Sequence, residues 1–217
     1  MSEDAQLFEV ALFPIPNAVA FPGTVLPLHV FEPRYRRLVQ DCLAEARMLG
    51  VSHTAGTIHE PRPKEDLEEA LRSNQATFHP QEVFTAGPCE LLETLDDGRM
   101  LVEVNMSERL ELVEEIQSLP YRIVTCRVLE DEPVRDEAAA RALREEVHGQ
   151  LVELVRARSP EAVGALEDPV WAGMTPAEYS FRIFQVLRLD ADLMQEFLET
   201  TAPEARLERL RSLLEGV

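Results

Sequence analysis

The chain has 217 residues and a mass of 24.5 kDa, room for one large domain or two small ones whose core needs no disulfide or metal. Hydrophobic residues at 45% and charged residues at 28% give the balance of a globular protein in water. With 40 Asp and Glu against 21 Lys and Arg, the formal charge of -19 weighs against modes that rest on phosphate neutralisation, such as nucleic-acid and anionic-membrane binding. Residues 7–13 come first: Phe8, Val10 and Leu12 alternate with Glu9 and Ala11, the period of a half-buried strand. Pro14, Pro16, Pro22 and Gly23 then punctuate a turn. Residues 24–31 form a second extended segment that Pro27 confines to a sheet edge or a bulge.

Pro33 suits the first position of a helix over 33–46, because its missing N–H has no intrahelical partner there. Tyr35, Leu38, Val39, Cys42, Leu43 and Ala46 fall on one apolar stripe, so Tyr35 and Cys42 are expected in the core. Arg37 and Asp41 pair at i, i+4 on the wet side. A short strand is expected over 48–53. The stretch 54–80, with Pro61, Pro63 and a charged run at 64–72, reads as a long polar loop holding at most a short helix. Segments 83–93 and 99–107 flank Asp96-Asp97-Gly98, a hairpin turn in which glycine takes the left-handed position. Short strands over 109–113 and 121–129 follow, and five or six strands among these segments are enough for a small mixed barrel.

After Pro133 the apolar period changes from two to 3.6. A helix over 136–158 carries Ala140, Leu143, Val147, Leu151 and Leu154 on one stripe. Thr175-Pro-Ala-Glu178 is a capping box, and the following body is apolar nearly all round, as a central buried helix would be. Asp190 caps the next helix, and Thr201–Glu204 repeats the capping-box spacing before a last one. The organisation is thus α+β, with a barrel over 1–132 and a four- or five-helix bundle over 133–217.

Chemistry is sparse. Lys64, the single lysine, follows no GxxxxGK[ST] loop and lies in a polar run where nothing lowers its pKa, so neither a phosphate cradle nor a Ser–Lys dyad is expected. No GxSxG elbow is present. His53, His59 and His79 lack the spacing of a zinc site, and His148 borders a core stripe as a structural histidine. No metal and no cofactor is therefore expected. Cys42, Cys89 and Cys126 are odd in number with no CxxC pair, as free thiols in a reducing compartment are. The acidic residues 1–6 have no signal-peptide pattern, and no run approaches the roughly 18 apolar residues of a membrane span. A cytoplasmic, soluble protein is expected.

The segment 12–37, LFPIPNAVAFPGTVLPLHVFEPRYRR, resembles the N-terminal domain of Lon-type ATP-dependent proteases, the LON substrate-binding domain. The likeness continues through Ala86-Gly87, the Asp97–Arg99 turn, Arg109, Leu119-Pro120-Tyr121, LMQEFLET and ARLERLRSLL. Its LPLHVFEPRYR wording looks most like stand-alone bacterial versions, and the ATPase and protease domains of Lon have no counterpart before Val217. The resemblance implies a PUA-like β-barrel followed by a helical bundle, and a non-catalytic module that binds polypeptide segments. The alternatives are a hydrolase or peptidase with a dispersed site, and an RNA-binding PUA-like protein, against which the charge argues. Partners are expected to meet the segment 21–36 through Phe21, Phe31, Arg34 and Arg36, with both arginines on the solvent side of the helix and the 54–80 loop assisting.

Overall fold

Alternation in the first strand sets up two cores at once. In the computed structural model, which describes residues 6–59 and 77–215, β1 (Leu7–Pro14) turns Val10 and Leu12 one way and Ala11 the other. Then follow β2 (Thr24–Val30), α1 (Pro33–Glu45), β3 (Leu49–Ser52), β4 (Thr54–His59), β5 (Thr77–Pro80), β6 (Val83–Gly87), β7 (Cys89–Thr94), β8 (Met100–Met106), β9 (Glu108–Gln117) and β10 (Arg122–Val128). Five strands close a barrel in the order β1-β10-β9-β6-β3, antiparallel except where β1 meets β3. Its interior holds Val10, Leu12, Phe84, Ala86, Leu110, Val124 and Cys126.

Outside the barrel, β2, β8 and β7 form a three-stranded sheet with β2 at one edge, where Pro27 costs no ladder bond. The second core packs Tyr35, Leu38, Val39 and Cys42 of α1 with Ala11, Val51, Val102, Val104 and Met106. The apolar stripe of α1 ends at Cys42, since Leu43 is 40% exposed and Ala46 is the left-handed cap at φ 52. Where one polar loop was expected over 54–80, β4 and β5 pair as an antiparallel hairpin. The expected helix within 64–72, and Lys64 itself, lie outside the described residues.

The remaining helices are α2 (Glu137–Arg158), α3 (Val163–Leu166), α4 (Pro169–Gly173), α5 (Pro176–Arg182), α6 (Ala191–Glu199) and α7 (Pro203–Glu215). Asp136 caps α2 through the Ala138 and Ala139 amides, and the Thr175–Glu178 capping box opens α5. The body after it departs from one long helix: α5 gives way to a 3-10 turn at Ile183–Gln185, and Val186 is 40% exposed. The expected Thr201–Glu204 box does not form. Pro203 takes the first helical position, which leaves Thr201 bonded to Glu132 and Glu204 to the Arg135 amide.

The chain divides into two compact units, Met1–Leu129 with Leu189–Leu198, and Glu130–Arg188 with Glu199–Val217. Most of α6 therefore groups with the strands, where periodicity placed it with the bundle. Gln195 donates to the Val83 carbonyl, and Arg109 donates to the carbonyls of Leu129 and Leu198. In the second unit the fully buried Arg206 donates to both oxygens of Asp131 and to the Ser180 hydroxyl, with its guanidinium 3.9 Å from the Phe181 ring centroid. Arg144 closes the end of α4 by donating to the carbonyls of Trp171 and Ala172. No helix among the described residues is long and apolar enough to cross a membrane.

Candidate functional site

The proline-rich turn after β1 and the edge of β2 leave a groove of about 380 Å³ between them. One wall is Phe13, Pro14, Ile15 and Pro16; the other is Pro27, Leu28 and His29, with Phe31 and Phe78 of β5 also lining it. Prolines at 14, 16 and 27 cannot donate backbone hydrogen bonds, and β2 has a strand neighbour on one side only, so its other edge is open to an incoming segment. The rim is fixed from beneath. The Ile15 amide donates to the Ser52 carbonyl, and the Asn17 amide donates to Nδ1 of the buried His53. That bond leaves Nε2 as the protonated ring nitrogen, which faces Asp192 at 3.2 Å.

The floor is a stack. Phe13 and Tyr35 lie with ring centroids 3.8 Å apart, and the Arg34 guanidinium sits 4.5 Å from the Tyr35 centroid. Arg34 pairs with Glu32 at 3.0 Å, their side chains only 10% and 11% exposed, so this charge is neutralised inside the groove. Burial pushes the Tyr35 hydroxyl up to about 12 despite the Arg34 charge. A smaller recess of about 40 Å³ shares Pro14, Arg34, Tyr35 and Phe78 with the groove and continues it toward Leu119, which is 78% exposed. There Arg122 pairs with Glu115 and donates to the Phe78 carbonyl. An apolar trough with an internally balanced ion pair can take up apolar side chains of an extended segment.

Of the four residues expected at a partner surface, Phe31 and Arg34 line the groove. Phe21 does not reach a surface: it is 3% exposed, packed as core. Arg34 is not on the solvent side, because at the second position of α1 it folds back onto Glu32 and Tyr35. Arg36 is half-buried and donates to the Gly98 carbonyl at 3.2 Å, which ties α1 to the β7–β8 turn. Sequence reasoning missed Phe13, Ile15 and Phe78. The cluster of prolines at 14, 16 and 27 was the available signal for the first two; nothing local marks Phe78.

Other candidate groups are structural. Arg109 is 5% exposed and spends its donors on backbone carbonyls. His148 packs against Trp171 and Tyr179, with burial and then the Arg144 charge lowering its pKa. Among the described residues, no three His, Cys, Asp or Glu side chains group as a metal site.

Residues 9–216 match the family described as the ATP-dependent protease La (LON) substrate-binding domain. Lon protease 1 of Herpetosiphon aurantiacus is 23% identical over 95% of this chain, and Lon protease of Anaeromyxobacter dehalogenans is 25% identical over 94%. The chain covers 24% and 22% of those two proteins, about a quarter of their length. Among solved structures, the N-terminal domain of a Mycobacterium avium complex Lon protease aligns at TM-score 0.65 with 16% identity, covering 95% of this chain and 98% of that one. A Lon N-terminal domain protein from Xanthomonas campestris aligns at TM-score 0.59 with 20% identity, covering 94% and 97%. These two share the α+β fold described above.

Proposed function

The chain belongs to the LON substrate-binding domain family, and from that premise we propose that it is a non-catalytic module that captures extended polypeptide segments in the groove between β1 and β2. The observation that carries this reading is the open, apolar groove beside a proline-bearing edge strand. An edge strand can accept an extended chain, and Phe13, Phe31, Tyr35 and Phe78 offer recesses for its alternate side chains. Two buried apolar side chains contribute about 3 to 6 kcal/mol. Less the cost of ordering the segment, that favours weak, reversible capture with a Kd of about a millimolar. Such affinity suits a protein that samples many sequences. The charge of -19 favours polypeptide over nucleic acid as the partner.

Fluorescence anisotropy with a labelled, reduced and alkylated polypeptide tests this. Phe31→Ala is expected to weaken binding by about tenfold with little change in melting temperature, since Phe31 is only half-buried. Val25→Ser, 54% exposed and outside the groove, is expected to leave binding as it is. Equal loss in both variants, or in neither, contradicts the assignment of the groove.

A further inference from the structure

The apolar face of α1 brings two of the three cysteines together. Cys42 lies on that face at 2% exposure, and Cys89, which opens β7, is half-buried and packs against the same cluster. Helix α1 and β7 are in direct contact: Arg36 near the start of α1 reaches Gly98 past the end of β7, and Cys89 is the one residue of β7 packed against the cluster that holds Cys42. They stand 47 positions apart in sequence, so only the fold makes them neighbours. We propose that Cys42 and Cys89 form a reversible dithiol–disulfide pair, closed by a peroxide into a covalent staple between α1 and β7.

The roles of the two sulfurs differ. Interaction with Cys42 holds the Cys89 thiol below its ordinary value, while that interaction and then burial push Cys42 well above its own. Cys89, nearer to solvent than the buried Cys42, is the attacking sulfur. It attacks one peroxide oxygen, the O–O bond breaks, and hydroxide leaves to take up the proton Cys89 released, forming water. Cys89 is then a sulfenic acid. The Cys42 sulfur attacks the Cys89 sulfur, the S–O bond breaks, and hydroxyl departs with the Cys42 proton as a second water. Two thiols and one peroxide become one disulfide and two waters; the sulfurs lose two electrons and the peroxide gains them. Closing this loop removes conformations from the unfolded chain, so the oxidised form melts higher. Cys126 is an internal control. It sits fully buried inside the barrel, its thiol donates to the Phe8 carbonyl at 3.4 Å, and burial pushes it up to about 11.

The full chain is treated with hydrogen peroxide, its remaining thiols are alkylated after unfolding, and its peptides are weighed. The expected product is a Cys42–Cys89 cross-linked pair lighter by two hydrogens and reversed by dithiothreitol, with Cys126 alkylated in full. The oxidised chain melts above the reduced one, and Cys89→Ser abolishes both the cross-link and that difference. Cys89 recovered as sulfinic acid with Cys42 still a free thiol overturns the proposal. Recovery of Cys89 bonded to a second chain does so as well.

Discussion

Arg206 keeps a full positive charge with none of its side chain exposed, which is tolerable only because every face of the guanidinium is occupied. Asp131 takes a two-pronged bond at 2.6 Å, Ser180 and the Thr200 carbonyl take further donors, and Phe181 stacks beneath. Removing one partner of such a pair strands the other, so Arg206→Leu is expected to destabilise the chain by about 3 kcal/mol in urea unfolding. Asp41 makes a case that depends on pH. Burial alone would raise its pKa, but hydrogen bonds from Arg37 and Tyr121 outweigh that and hold the carboxyl below its usual 3.8. A depressed carboxyl stabilises the fold at pH above its unfolded value, and that contribution is lost as pH falls through the folded one. Melting temperature is therefore expected to drop below about pH 4 more steeply in the natural chain than in Asp41→Asn.

Among the elements, a close approach between two strands rests on Gly87. A Cβ there would lie 1.7 Å from the Asn105 carbonyl oxygen, where the backbones at the end of β6 and of β8 cross. The crossing is held by the Asn105 amide on the Pro88 carbonyl and the Ser107 amide on the Ala86 carbonyl. Gly87→Ala is expected to part these bonds and cost about 3 kcal/mol, read as a fall in thermal midpoint by circular dichroism. Elements whose pattern is local were legible in the sequence. Met100, Val102, Val104 and Met106 alternate into the core as read, α1 starts at Pro33, and α2 starts at Glu137, one residue after the expected 136. What depends on long-range register was not. Phe78 meets Arg34 only because β5 pairs with β4, and Arg34 looked solvent-facing because helical spacing says nothing of Glu32 outside the helix. Thr201 and Glu204 have capping-box spacing, yet Pro203 fixes the helix start one residue later and releases both to other partners.

For the molecule as a whole, the charge of -19 and the groove point to different kinds of encounter. The acidic surface discourages nucleic acid at a distance, whereas the groove is apolar and its Arg34–Glu32 pair is internally neutral. Peptide capture in the groove, as proposed, is therefore expected to rest on apolar burial and to change little with salt, unlike a phosphate-contacting surface. A second cleft, between α2 and α7, presents Glu132, Asp136, Glu204 and Glu208 and is the contrasting surface in the same chain. The most direct measurement follows the amide resonances of the isotope-labelled chain while an extended, apolar, unlabelled peptide is added, at low and at high salt. Salt-insensitive shifts that saturate together are expected at Phe13, Ile15, Leu28, Phe31, Tyr35 and Phe78. Shifts gathered in the α2–α7 cleft and erased by salt, or none at millimolar peptide, would contradict capture in the groove.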